Sequence, residues 1–297
     1  MAELPRLTLE QVAGLVPGAS NIRPIGKGGQ KLVFCGDIDG RPFALKFALL
    51  PALTGDADPQ TEVEARAARE VETMRDCDSP HMVKLGPVGL TVSECEGQRL
   101  LFFSEEFVDG EDVAAILQRD RRLAALEVVR LGLHVADAIR GLWDIGKIHR
   151  DIKPHNIVRG KASGDYVLLD AGYAFDVVGE SLSQSFVLVG TVPYFPPERF
   201  DYTNRRSVMD FRSDLFSLGV TMYQAVTGVH PFWTAGETSH QVFARILNQR
   251  PRPPSTIQPG LPAGLDDIIL RLLGKAPHLR YRKIEQFVTA LRGLGVA

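Results

Sequence analysis

The ten residues from His149 to Val158, HRDIKPHNIV, constrain this chain more than any other stretch. Asp151, Lys153 and Asn156 put a proton acceptor, a cation and a neutral metal ligand on one tight loop. A short strand-like run, YVLLD, follows and ends at Asp170, with Ala171-Gly172 directly after it. Phosphoryl transfer needs this combination. A hydroxyl must be oriented toward a phosphate while a metal ion and lysines neutralise charge spreading over the phosphoryl oxygens, which leaves the protein little covalent chemistry.

The rest of the chain is long enough to support such a loop. At roughly 150 residues per domain, 297 residues predict about two lobes. Apolar residues at 44% and charged residues at 24% match globular averages, which argues against disorder, collagen-like repeats and a coiled coil. Thirty-four Lys and Arg against 36 Asp and Glu leave a net charge of −2, so no general attraction to nucleic acid or anionic membrane is expected. Cys35, Cys77 and Cys95 form no C-x-x-C pair, which suggests neither a disulfide framework nor a zinc site. The opening MAELPRLTLEQ lacks a signal-peptide pattern, and no run of 18 apolar residues occurs. A cytoplasmic protein is the expectation.

Local patterns predict the elements. Residues 1–20 read as a lead-in, with Thr8 capping a helical turn that carries Leu9, Val12, Leu15 and Val16. KLVFCGDIDGRPFALKF reads as a hairpin turning at Asp39-Gly40. Residues 59–76 favour a helix from Pro59, and MVKLGPVGL and RLLFFSEEFV read as further strands before the break at Asp109-Gly110. Beyond it the chain is mainly helical. Leu126, Val129, Leu133, Ala136, Ile139 and Trp143 form the buried stripe of one helix, and 214–227, apolar on nearly every face, form a helix inside the domain that Gly228 caps.

With these motifs in order, the chain resembles the eukaryotic-type (Hanks-type) serine/threonine protein kinases from about Ile25 to Arg280. The resemblance implies an α+β, two-lobed fold. Its small lobe, 21–107, would hold an antiparallel sheet and one main helix, and its larger, mainly helical lobe would span 108–297. It implies Asp151 as catalytic base, Lys153 as a γ-phosphate contact, and Asn156 with Asp170 as Mg²⁺ ligands. GKGGQKLV would bring the backbone at Gly26, Gly28 and Gly29 toward phosphate, although Lys31 stands where the third glycine of G-x-G-x-x-G belongs. Ala44-Leu45-Lys46 matches the strand carrying the phosphate-binding lysine. Its implied acidic partner is Glu70, with Glu64 and Glu72 as competitors and Met74 packing inward one turn later.

Adenine would sit between Val33 and Ala44 on one side and Val158 on the other, with the backbone of the hinge, Glu106 to Val108, on its edge. Glu105 then occupies the gatekeeper position. Leaving that carboxylate buried and unpaired would cost several kcal/mol, so either it has a partner such as a lysine or the register is off by one. Gly190-Thr191-Val192-Pro193-Tyr194 and Pro196-Pro197-Glu198 resemble the end of an activation segment, with Glu198 implied to pair Arg280. Asp214 and Gly219 match the buried helix that braces the catalytic loop. Ser181, Ser183 and Ser185 are candidates for a regulatory phosphate that Arg150 would pair, and Thr191 for positioning substrate. Asp170-Ala171-Gly172 replaces D-F-G, which removes the phenylalanine that packs beneath the glutamate-bearing helix in this family.

The resemblance implies an ATP- and Mg²⁺-dependent kinase acting on serine or threonine of proteins, itself included through self-association. Two other readings stay open: a nucleotide-binding pseudokinase scaffold and a small-molecule phosphotransferase. The G-T-x-x-Y and P-P-E segment argues against the second. His134, His155 and His230 show no metal-ligand spacing and read as structural or surface residues.

Overall fold

The protein is described by a computed structural model covering residues 6–28, 31–50, 59–176, 192–200 and 209–295. It divides into two units. One comprises Met1–Asp76, Val83–Val108 and Asp170–Gly172, and the other Cys77–Met82, Asp109–Leu169 and Tyr173–Ala297. This differs from the expected division in two respects: the lead-in belongs to the first unit, and two short segments exchange units.

The first unit is built on a five-stranded antiparallel sheet in the order β1-β2-β3-β5-β4. Its strands are β1 (Ser20–Gly28), β2 (Lys31–Ile38), β3 (Arg41–Leu49), β4 (Thr91–Cys95) and β5 (Gln98–Glu106). Asp39 and Gly40, at φ 50° and 73°, close the β2–β3 turn in the left-handed conformation that matches strand twist. Helix α1 (Leu9–Leu15) starts at Thr8, whose hydroxyl accepts the Gln11 amide while the Gln11 side chain accepts the Thr8 amide. Val12 and Val16 then pack on Phe34, Leu45, Phe47 and Phe102, with Phe47 stacked on Phe102 at 5.1 Å. The lead-in therefore completes the core on one face of the sheet. Helix α2 (Pro59–Asp76) buries Ala67, Glu70, Thr73 and Met74 at helical spacing.

The strand expected over MVKLGPVGL does not form. Residues 83–90 run beside β5 through an isolated bridge at Leu85 and bonds around Ser104, because Pro87 has no N–H to continue a ladder. The strand lies further on, at β4, turning through Glu96-Gly97.

The second unit holds α3 (Val113–Asp120), α4 (Ala125–Asp144), α5 (Phe211–Thr227), α6 (Ser239–Asn248), α7 (Leu265–Leu272) and α8 (Ile284–Arg292). Two small sheets join them: β6 (Gly110–Asp112), β8 (Ile157–Gly160) and β9 (Tyr166–Leu168) in one, β7 (Lys147–Ile148) and β10 (Phe175–Asp176) in the other. Helix α5 is buried on all faces and ends at Gly228 in the left-handed conformation. Gly219 allows α7 to approach, since a Cβ there would lie 2.6 Å from Leu272 Cβ. Helix α4 departs from its expected stripe: Leu126 is exposed, and Val128, Leu131, Val135, Ala138 and Leu142 are buried beside Val129, Ala136 and Ile139. It packs against α5, α8, β7 and β9 together, and partners on several sides bury more of a helix than one stripe. No helix among the described residues is long and apolar enough to cross a membrane.

Two polar features hold this unit. Arg280 donates to both oxygens of Glu198, each at 2.7 Å, and to the carbonyls of Arg212 and Gly274 at 2.7 and 2.8 Å. Ser213 adds a third donor to Glu198. His134 stacks on His81 at 4.0 Å between ring centroids and accepts the Tyr166 amide at 3.0 Å. Burial, with His81 beside it, pushes the His134 pKa down from 6.5 to about 4.

Arg280→Met leaves Glu198 buried without its cation, which should destabilise the fold by about 3–5 kcal/mol, read as a lower urea midpoint at unchanged m-value. His134 carries its own signature. Between its depressed folded pKa and the ordinary value the unfolded chain binds more protons than the folded one, so stability falls as pH drops from 6.5 toward 4. Melting temperatures across that window should fall less steeply in His134→Gln than in the parent.

Candidate functional site

In the second unit, the loop from His149 to Lys153 leaves β7 and runs into a short 3₁₀ turn, Pro154–Asn156, ahead of β8. Arg150 adopts φ 68°, uncommon for a residue with a side chain, and it is over-determined. The buried Asp214 carboxylate accepts the amides of His149 at 2.7 Å and Arg150 at 2.9 Å, and Arg199 donates to the Arg150 carbonyl at 2.9 Å. Burial raises the Asp214 pKa, against the bonds from that loop, which favour its charged form. The His149 ring bonds the Leu169 carbonyl at 3.1 Å, and the Leu169 amide donates to the Asn156 carbonyl at 2.8 Å.

This brace fixes Asp151, which is 5% exposed. Its Oδ2 accepts from Lys153 Nζ at 2.7 Å and from Asn156 Nδ2 at 2.9 Å, and the same Nδ2 reaches the Asp151 carbonyl at 2.9 Å. With both bonds made through nitrogen, the amide oxygen of Asn156 is turned away from Asp151. That leaves an oxygen suited to a hard cation.

The first unit carries a cluster of buried charge. Lys46 on β3 meets Glu70 of α2 at 3.0 Å and Glu105 of β5 at 2.8 Å, and Lys31 of β2 forms a second ion pair with Glu70. Both ammonium groups lie near the Phe103 ring, at 5.0 Å for Lys31 and 5.9 Å for Lys46. Burial disfavours the charged form of Lys46, but Glu105 and Glu70 outweigh it and hold its pKa well above the usual lysine value. Glu70 is likewise penalised by burial, yet Lys31 and Lys46 bring its pKa below the carboxylate range. Burial pushes Glu105 up, with Lys46 opposing.

Of the three candidate glutamates, Glu70 is the one that meets Lys46, while Glu72 is exposed and Glu64 half-buried. Asp170, at φ 60°, lies in the same unit with Ala171, which is fully buried. Gly172 admits these groups: a Cβ there would lie 3.0 Å from Asp170 Oδ1, from Glu70 Oε2 and from Arg66 Nε. Asp170 in the first unit carries carboxylate oxygens and Asn156 in the second an amide oxygen, each a donor type that hard cations such as Mg²⁺ take.

The remaining candidates fall where their elements put them. Gly26 and Gly28 end β1, paired with Val33 and Lys31. Ala44 is buried opposite Glu105, Val33 is half-buried in β2, and Val158 is buried in β8. The Glu106 amide donates to the Lys84 carbonyl at 2.8 Å, and Val108 ends the second of the three segments that make up the first unit. Gly29, Ser181, Ser183, Ser185 and Thr191 lie outside the described residues. Sequence reasoning missed Lys31 as a partner of Glu70, having treated it only as a lost glycine. Its place in β2, two residues before Val33 on the same sheet face, was the available signal. Arg199, over the Phe195 ring at 3.6 Å, was also missed, and nothing in its local sequence marks it.

Comparison with known proteins agrees with this geometry. A model of the protein kinase domain family matches residues 20–289. The chain is 33% identical over 261 residues, 87% of its length, to the serine/threonine-protein kinase PknE of Mycobacterium tuberculosis, covering 43% of that protein. It is 28% identical over 259 residues to PknH of the same organism, again 87% of this chain and 39% of the relative. A probable serine/threonine-protein kinase of Clostridium perfringens is 26% identical over 267 residues, 89% of this chain and 36% of its own length. The chain thus spans less than half the length of these curated relatives. With a family match over nearly its whole length and the ion pairs its motifs imply, the chain belongs to the protein kinase domain family, with serine/threonine kinases among its relatives.

Proposed function

We propose that the chain is an ATP- and Mg²⁺-dependent kinase that transfers the γ-phosphate to serine and threonine hydroxyls of proteins, its own included. The observation that carries this reading is Asp151: a buried carboxylate on a braced loop, with Lys153 and Asn156 both bonded to Oδ2. Oδ1 is then the oxygen for the incoming hydroxyl, orienting it and taking its proton as the new O–P bond forms. Lys153, beside that carboxylate, would neutralise a γ-phosphate oxygen, and Lys46 would hold the α- and β-phosphates. Asn156 and Asp170 would hold Mg²⁺, which supplies charge neutralisation on the phosphate oxygens. Val33, Ala44 and Val158 supply apolar surface for adenine, and Glu106 and Val108 supply backbone polar groups for its edge.

Protein substrates rather than small molecules are favoured by Tyr194 and Glu198, in the motifs that resemble the end of an activation segment, which sit in a buried, bonded frame: Tyr194 donates to Gln224 and Glu198 binds Arg280. A peptide-binding segment needs such an anchor.

The test is incubation of the purified chain with labelled ATP and Mg²⁺ beside Asp151→Asn, followed by phosphoamino-acid analysis. Removing the base should lower incorporation by ~10²-fold or more, with phosphoserine or phosphothreonine in the parent. Equal labelling of both proteins would contradict Asp151 as the base, and no labelling of the parent or of generic peptide substrates while nucleotide binds would contradict the reading and favour a scaffold.

A further inference from the structure

The cluster around Lys46 holds two members beyond a single lysine–glutamate pair. Glu105 lies on the same sheet face as Lys46 and diagonally across from it, since Lys46 is opposite Phe103 in β5 and Glu105 is two residues further on. Its side chain is 4% exposed and reaches the ammonium at 2.8 Å. Lys31 approaches from β2 to the oxygen of Glu70 that Lys46 does not use, Oε2 against Oε1.

Resting on the kinase reading above, we propose that Glu105 and Lys31 are positioning residues for phosphoryl transfer: Glu105 gives Lys46 a second carboxylate from within the sheet, and Lys31 fastens the Glu70-bearing helix to it. An ammonium has three N–H bonds. Glu70 Oε1 accepts one of them at 3.0 Å, while the Glu105 carboxylate, 2.8 Å away, acts as a second charge partner, so two acids from different elements fix where the ammonium sits. Lys31 and Lys46 together balance Glu70 and Glu105, so the extra carboxylate adds no net negative charge where a polyphosphate must bind. The sheet thereby supplies attachments for α2 that Ala171, with a single buried methyl, does not. The gatekeeper acid and the lysine in the glycine loop are two halves of one device, although they stand 74 positions apart in the sequence.

This arrangement predicts opposite effects on ATP use, which a general loss of stability would not produce. Glu105→Gln removes a negative charge but frees the Lys46 ammonium, so KM for ATP should fall about fivefold while kcat falls about tenfold. Lys31→Met removes a positive charge and a fastening of α2, so KM should rise about fivefold with kcat again reduced. In the double variant the charge is balanced again: KM should return to within about twofold of the parent while kcat stays low. Lys31→Arg should restore KM. ATP affinity measured by calorimetry in EDTA should follow the same order without any turnover, so the cluster is tested even if the parent transfers no phosphate and the kinase reading fails. Melting temperatures identify a variant that fails to fold, and Lys31→Gln then replaces Lys31→Met. Both single variants shifting KM and ATP affinity in the same direction, or leaving kcat, KM and affinity within about twofold of the parent, would overturn the proposal.

Discussion

Lys46, Glu70, Glu105, Asp151, Asp214, Glu198 and Arg280 are all buried, and a buried charge is tolerated only when partners replace the water it has lost. Much of the architecture follows from that requirement. In the first unit, strands β2, β3 and β5 and helix α2 each contribute one member of the Lys46 cluster, so the register of the sheet and the rotation of the helix are fixed together. In the second unit, Asp214 gathers the amides of His149 and Arg150, and Glu198 gathers Arg280 and Ser213. Removing one partner strands the others.

The same pairing prepares the chemistry. Dipoles and charges set in advance, in surroundings poor in water, need no reorganisation when charge develops on a transferring phosphoryl group. Asp151 is oriented by bonds to Lys153 and Asn156, and Lys46 is held between two carboxylates. On the kinase reading proposed above, such a site would act by position and electrostatics rather than through a nucleophile of its own. Ala171 fits that picture, because the attachments of α2 are ionic and come from the sheet.

Features legible in the sequence were those set by local spacing. The loop from Asp151 to Asn156, the Asp39-Gly40 hairpin and the Thr8 cap are each decided within a few residues by turn chemistry, whereas the inward face of α2 at Glu70 and Met74 came only through resemblance to a family. Glu198 and Arg280, 82 residues apart, were paired only through resemblance to a family, since no local pattern joins them. Burial of Glu105 carried its own consequence: a carboxylate in a strand otherwise buried at Leu100 to Ser104 requires a cation, and Lys46 was within reach. What escaped were features decided by packing at a distance. Helix α4 buries more than one stripe because four elements pack against it, residues 83–90 lose their ladder at Pro87, and Lys31 of the sheet finds Glu70 on α2.

Direct transfer of the phosphoryl group, without a phosphorylated enzyme intermediate, is the central claim, and stereochemistry tests it most directly. ATP made chiral at the γ-phosphorus by oxygen isotopes and sulfur should give a phosphorothioated serine or threonine of inverted configuration, because one in-line displacement inverts phosphorus. Retention would mean two displacements through a protein nucleophile, and would contradict a site in which Asp151 serves as base and the remaining residues act by position and charge.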